Sequence, residues 1–406
     1  LQKSLDRKLA AIHADPAGCR EFILADAKDA DMAFGVGAPG HSPERHDGEM
    51  RFRTLAEYRE QIRQIARSEL VDIMLMSAST SDALTIGERL FDNSPVTPAA
   101  RANDTTDIHI LRGGKLHEPA ARPFRSAALD HIQCGHLDCE PAERNRGADL
   151  GLYSLTFNND VDLDRQTLEQ FKLFREEAER KGFRYFLEVF DPNLPGAVPP
   201  ERLGQFINDA IARTLAGVAA AGRPLFLKIV YHGPKALEEL VAYDPHLVVG
   251  ILGGSAGTTR DAFQLLFDAK KYGARVALFG RKINNAECQL AFVEFLSLIA
   301  DGHLEPEEAV KAYHGVLQKL AIPPRRPLAK DLIASAGSMS YSGSTTTISV
   351  PQAKQPVAKP AQIPTSPARF SSTGTASDSK APDFARMTPA ERLAYHRQRL
   401  DRQFGK

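Results

Sequence analysis

A lysine stands in the middle of an apolar, strand-like run, Leu225-Phe226-Leu227-Lys228-Ile229-Val230-Tyr231. An ammonium placed there loses much of its hydration, so the position needs a reason. Burial disfavours the charged form, and a neutral amine near neutral pH can attack a ketone. The resulting iminium is an electron sink, and breaking a C–C bond is the reaction such a sink drives. One β/α unit earlier a carboxylate occupies a similar place, Glu188 in Tyr185-Phe186-Leu187-Glu188-Val189-Phe190. Strand alternation puts Glu188 on one face with Phe186 and Phe190, and Lys228 on one face with Phe226 and Val230. With both faces turned inward the two are neighbours, and the carboxylate becomes a candidate proton shuttle. A buried structural ion pair is the alternative reading.

Two glycine-marked turns supply a second kind of chemistry. Gly253-Gly254-Ser255 follows the run 246–252, and Gly280-Arg281 follows the run 275–279. Small residues let backbone N–H groups approach an anion, a helix start at Thr258 or Thr259 adds its dipole, and Arg281 adds a cation. The expectation is a phosphate held by Gly253, Gly254, Ser255, Gly280 and Arg281; tight turns alone are the alternative.

These groups need a frame. From about residue 21 to 332, β-rich runs alternate with helical patterns. The strand-like runs are 22–26, 71–76, 108–111, 150–157, those around Glu188 and Lys228, 246–252 and 275–279. Helical segments lie at 164–181, 200–221, 234–242 and 258–272, and a further helical stretch at 285–320 would close the ring. Strict alternation implies a parallel sheet, and eight such units predict a (β/α)8 barrel over residues 1–333. An open doubly wound sheet is the alternative. Chemistry in such a barrel sits at the carboxyl ends of the strands. Asp26, at the end of the first run, therefore joins the candidates. So does Tyr153 on the fourth, either as a hydroxyl near the carbonyl or as a core tyrosine.

Composition limits the rest. Among 406 residues, 51 lysines and arginines balance 51 acids, so bulk charge points to neither nucleic acid nor membrane. Four cysteines are too few for a disulfide scaffold at this length. Cys134 and Cys139 look like a metal pair, but the spacing is wider than usual and no second pair exists, so no metal is expected. No apolar run is long enough to span a bilayer, and residues 1–15 lack a signal-peptide core, so the expected location is the cytoplasm.

Residues 334–385 are rich in Ser, Thr, Ala, Pro and Gly and read as a disordered linker. Residues 386–406 read as a short amphipathic helix. Thr388-Pro389-Ala390-Glu391 is a helix-start pattern, and Leu393, Leu400 and Phe404 form an apolar stripe among arginines. Alone such a helix is marginal, so a partner is expected.

Two resemblances follow from these residues. The stretch 183–299 resembles class I, Schiff-base aldolases of the DeoC/LacD type, nearest to archaeal-type fructose-bisphosphate and tagatose-bisphosphate aldolases. It does so through Leu187-Glu188-Val189, Leu227-Lys228-Ile229, Gly253-Gly254-Ser255 and Gly280-Arg281-Lys282-Ile283. The resemblance implies that Lys228 forms the Schiff base and Glu188 transfers protons. It also implies that the glycines, Ser255 and Arg281 hold the phosphate of a ketose, without a cofactor, in a homo-oligomer. A metal-dependent aldolase with Glu188 and Asp26 as ligands and a non-catalytic phosphosugar-binding barrel remain alternatives. The first run ends in a more charged stretch than the family leads one to expect, and 101–146 has no counterpart there. The linker and terminal helix resemble the encapsulation peptides of bacterial microcompartment cargo, which implies a shell or cargo protein as partner and the compartment lumen as location. A membrane-surface helix, a nucleic-acid tether and self-association are the rivals.

Overall fold

A computed structural model describes residues 2–40, 52–254, 257–335, 338–339 and 348–349, and positions 388, 391, 394, 395 and 398. The chain divides into two compact units, Leu1–Val350 and Pro351–Lys406.

The first unit is a closed parallel barrel. Its strands are β1 (Ile23–Lys28), β2 (Ile73–Met76), β3 (Thr97–Arg101), β4 (Leu150–Thr156), β5 (Arg184–Phe190), β6 (Leu227–Ile229), β7 (Val249–Leu252) and β8 (Val276–Phe279). Each pairs with its neighbours in sequence, and β1 with β8 closes the ring. Strands such as Arg-Tyr-Phe-Leu-Glu-Val-Phe are buried on both faces, which suits aromatic and β-branched residues.

Inside the barrel Ile23, Ala25, Ile73, Leu152, Phe186, Phe226, Val276 and Leu278 belong to one apolar cluster. The rings of Phe186 and Phe226 stack with centroids 4.6 Å apart. The first helix, α1 (Ser4–Ala14), adds Leu5, Leu9 and Ile12 to this cluster at the amino-terminal end of the strands. Lys3 holds that plug in place, donating to the carbonyls of Phe91, Ser94 and Val96 at 2.7, 2.8 and 3.0 Å. A second, smaller cluster of Ile108, Phe190, Val230 and Leu252 lies toward the carboxyl ends. Between the two clusters the inward positions of β5 and β6 are Glu188 and Lys228.

The helices that cover the sheet are α2 (Leu55–Ser68), α3 (Leu129–Cys134), α4 (Val161–Arg180), α5 (Leu203–Leu215), α6 (Pro234–Tyr243), α7 (Thr259–Lys271), the short α8 (Arg281–Asn284), α9 (Gln289–Ala300) and α10 (Pro306–Lys319). The last two divide the single stretch expected at 285–320. Among the described residues no helix is long and apolar enough to cross a membrane.

One expected strand is misplaced. The third strand is Thr97–Arg101, not 108–111, and Ile108 closes a 3-10 turn. Thr-Pro-Ala-Ala-Arg has little intrinsic strand preference. Pairing in register between β2 and β4, with Ala99 packed in the core, overrides propensity.

The start of the expected linker precedes a short antiparallel pair, Ser338–Met339 with Ile348–Ser349, that belongs to the first unit. In the second unit the expected helix start forms a capping box. The Thr388 amide and hydroxyl both donate to Glu391 at 2.8 Å, and the Glu391 amide returns a bond of 3.3 Å to the Thr388 hydroxyl. Leu393, Leu400 and Phe404 lie outside the described residues.

Gly250 pairs with Lys228 across β6 and β7. A Cβ there would lie 2.5 Å from the Leu227 carbonyl oxygen and 2.8 Å from the Val276 Cβ. Neither neighbour can swing aside, so Gly250→Ala is expected to destabilise the barrel by about 1–3 kcal/mol. A lower urea midpoint at unchanged slope is the readout.

Candidate active site

Register on the barrel builds the site. Glu188 and Lys228 are direct partners on β5 and β6, and Lys228 Nζ lies 2.5 Å from Glu188 Oε1 with both side chains buried. Arg101, at the end of β3, reaches across to the same carboxylate. Its Nε donates to Asp29 Oδ2 at 2.6 Å, its Nη2 to Glu188 Oε2 at 3.3 Å and its Nη1 to Ser154 Oγ at 2.9 Å. Ser154, the inward residue of β4, donates its own hydroxyl to Glu188 Oε2 at 2.6 Å. Asn103 fixes Ser154 by bonding both its amide and its carbonyl, at 2.6 and 2.7 Å.

The charges therefore alternate: Asp29, Arg101, Glu188, Lys228. Burial would raise the Asp29 carboxyl, but the Arg101 and Lys228 charges outweigh it and hold Asp29 below the usual range. Burial would likewise lower Arg101, and Asp29 and Glu188 instead raise it above its ordinary value. A proton leaving Lys228 has Glu188 as an acceptor in direct contact. Transfer along that contact would give a neutral amine beside a carboxylic acid.

These four side chains line a cavity of ≈ 100 Å³. Phe34, Phe190 and Leu252 form apolar walls, and Ile108 and Ile110 come from the long insertion after β3. Gly253, Gly254, Gly280 and Arg281 lie along the same cavity. Gly253 supplies room more than a donor: its amide donates to the Leu278 carbonyl at 2.8 Å, and a Cβ would lie 2.2 Å from the Phe279 ring. Gly254 takes φ 55°, where glycine is favoured. A Cβ on Gly280 would meet the Ala27 carbonyl oxygen at 2.7 Å. Arg281 lies over the Phe34 ring at 5.6 Å, and burial pulls its guanidinium down to about 10 despite Glu188. Ser255 lies outside the described residues. The start of α7 is already capped. Asp261 accepts the Thr258 amide at 2.6 Å and Asp331 the Thr259 amide at 2.8 Å, so this helix end is neutralised by the protein's own carboxylates.

Two expected site residues face elsewhere. On β1, Ala25 and Ala27 point into the barrel, so Asp26 points out. It pairs with Lys28 at 3.3 Å in the layer under α8 and α9, where Lys28 also bonds Asn284 and Gln289, and burial pushes its carboxyl up to about 6. The acid that reaches the cavity from this strand is Asp29. Continuing the inward series from Ala25 and Ala27 finds it; ending the strand at Asp26 hides it. Tyr153 also faces outward, against Phe171 and Phe174 of α4 with ring centroids 5.3 and 4.3 Å away, and its inward neighbour is Ser154. Arg101 carried no sequence signal beyond its place after a run of small residues.

The donor set does not suit a hard divalent ion. Asp29 and Glu188 are each engaged by cations, and Asp26 lies on the other side of the sheet.

No family model matches the sequence, and no curated protein matches it. Solved structures do. An archaeal fructose 1,6-bisphosphate aldolase superposes with a TM-score of 0.50 at 16% identity, covering 73% of this chain and 99% of its own. The fructose-bisphosphate aldolase from Slackia heliotrinireducens gives 0.53 at 16% identity, over 77% and 91%. A third structure, an archaeal aldolase whose catalytic lysine is covalently bound to the carbinolamine intermediate of the substrate, gives 0.50 at 16%, over 73% and 100%. The chain shares their fold. These likenesses span nearly the whole length of the three enzymes' chains.

Because the folded state holds Asp29 below its unfolded value of 3.8, the carboxylate contributes stability above that pH, lost as pH falls through the lower folded value. Asp29→Asn is expected to be less stable than the parent at pH 7, with the gap narrowing below about pH 4. Urea midpoints measured from pH 7 to 2.5 test this; a gap independent of pH would contradict it.

Proposed function

We propose that this protein is a class I aldolase that cleaves or forms a C–C bond in a phosphorylated ketose through a Schiff base on Lys228. The contact between Lys228 and Glu188, opening on a cavity at the carboxyl ends of the strands, is the observation that carries the reading. In this scheme Glu188 takes the proton from Lys228 and the amine adds to the ketone carbon. Glu188 then returns the proton to the carbinolamine hydroxyl, which leaves as water. Glu188, again a carboxylate, then accepts the proton of the hydroxyl on the β carbon, and C–C cleavage sends its electron pair into the iminium and yields an enamine and an aldehyde. Arg101 and Ser154 orient Glu188, and Asp29 is a second carboxylate facing the same space. Room at Gly254 and Gly280 with the Arg281 charge suits the ketose phosphate. The likeness to aldolases with a covalently reacting lysine supports the same scheme.

Borohydride reduction with dihydroxyacetone phosphate, followed by peptide mass mapping, tests it. The expected result is a reduced adduct on Lys228 that is absent from Lys228→Met. No adduct with a panel of ketose phosphates in folded protein would favour a phosphosugar-binding barrel instead. Glu188→Gln is expected to lower kcat by about 10²–10⁴-fold.

The terminal helix extends the proposal: it docks the enzyme to a shell or cargo protein of a bacterial microcompartment. The capping box at Thr388 and Glu391 supports a helix start there. Deleting residues 386–406 is expected to abolish co-localisation with shell proteins while leaving aldol cleavage intact; unchanged localisation would refute the docking role.

A further inference from the structure

The insertion after β3 ends, just before β4, in a turn that holds two buried free thiols. α3 finishes at Cys134, Gly135 takes φ 90° and Asp138 φ 56°, and the chain folds back on itself. Cys134 Sγ, Cys139 Sγ and a Glu143 carboxylate oxygen lie within 4.8 Å of one another. Around a tetrahedral zinc ion such atoms sit roughly 3.5–3.8 Å apart, given metal–ligand distances of about 2.0–2.3 Å. A small side-chain adjustment closes the three on one ion.

His136 lies in the same turn and adds a second, separate observation. Its Nδ1 is 2.8 Å from the Leu137 carbonyl oxygen. That oxygen can only accept, so Nδ1 carries the ring proton. Nε2, the other ring nitrogen, faces Glu143 Oε2 at 3.3 Å. His136 stands outside the group of three and would have to turn from Glu143 toward the thiols to complete a tetrahedral set. Binding one imidazole nitrogen to a carbonyl is also how proteins orient the other toward a metal.

We propose that Cys134, Cys139, Glu143 and His136 Nε2 form a structural zinc site. The charge closes: two thiolates and one carboxylate meet a divalent cation and Arg146, whose Nη1 already holds Glu143 Oε1 at 2.9 Å. Glu143 Oε2, which also accepts the Glu140 amide at 3.3 Å, is left for the metal. Ion binding releases the two thiol protons, one of which Cys134 now donates to the His136 carbonyl at 3.4 Å. Asp130 stays outside the set, engaged by Lys181 at 2.8 Å and by the Asp138 amide at 3.2 Å. The turn lies at the amino-terminal end of β4, the end of the barrel opposite the cavity. Backbone bonds from Gly147 to Gln133 and from Ala148 to Ile132, at 2.7 and 3.1 Å, already strap it to α3. The ion would brace this strap and take no part in catalysis.

Cobalt(II) titration of the reduced, chelator-stripped full chain under anaerobic conditions tests the site. The expected result is one equivalent bound, with tetrahedral visible bands and a thiolate-to-cobalt charge-transfer band, displaced by zinc with no loss of stoichiometry. About two protons should be released per ion in weak buffer. Replacing both thiols, Cys134→Ser with Cys139→Ser, should abolish the charge-transfer band. Glu143→Gln and His136→Ala keep both thiols and should keep the native circular dichroism, yet bind cobalt at least about tenfold more weakly. No stoichiometric binding, binding without the charge-transfer band, a band that survives loss of both thiols, or a Cys134–Cys139 disulfide as the sole reaction of these thiols would overturn the proposal.

Discussion

Four ionisable side chains share one buried layer of the barrel, and each is tolerable only because of the next. Asp29, Arg101, Glu188 and Lys228 alternate in sign, and Ser154 and Asn103 supply neutral hydrogen bonds around them. Removing one member would leave a neighbour desolvated and uncompensated, which is far costlier than losing the contact itself. The layer lies between an apolar floor centred on Phe186 and Phe226 and an apolar upper rim of Ile108, Phe190, Val230 and Leu252. Strands β1, β3, β4, β5 and β6 must hold their register for the layer to exist, because a slip of one residue in a strand would turn its member of the layer outward. The arrangement thus couples strand pairing to the chemistry that the cavity can perform.

The part of this layer that the sequence makes visible is the part where polarity interrupts a strong apolar period. Glu188 and Lys228 stand out because Phe186, Phe190, Phe226 and Val230 define the inward series around them. Arg101 does not stand out. It follows Thr-Pro-Ala-Ala, whose strand character comes from packing between β2 and β4. The same uncertainty of strand limits moves the β1 acid from Asp29 to Asp26; on β4 the limits are read almost as found and the inward side is what differs, trading Ser154 for Tyr153. Alternation is a rule about parity, so an error in where a strand ends changes which residues are chosen without changing the fold. The eight-unit barrel survives even with the third strand mislocated, because architecture rests on many weak signals and a site on a few. At Cys134 and Cys139 the spacing alone was uninformative, since His136 and Glu143 come close only through the positive-φ turn at Gly135 and Asp138.

The glycine turns divide their labour in a way that motif reading does not capture. Gly253 commits its amide to the sheet and α7 is capped by Asp261 and Asp331, so what the described residues offer an anion there is space and the Arg281 guanidinium. A charge held against an aromatic ring and kept largely from water interacts with an anion more strongly than one in bulk solvent.

The plug made by α1 has a consequence for how the molecule is made. Leu5, Leu9 and Ile12 leave the ribosome ahead of the residues that bury them, and their cluster includes Val276 and Leu278, whose strand closes the ring. During synthesis the helix meets some of these partners, Ile73 and Leu75 among them, within about sixty residues, but the cluster is complete only when Val276 and Leu278 arrive about 260 residues after Ile12, roughly a quarter of a minute to a minute at ribosomal speeds. Such distant partners raise contact order and slow folding. The last act of barrel closure is then also the moment at which the packing around α1 is finished.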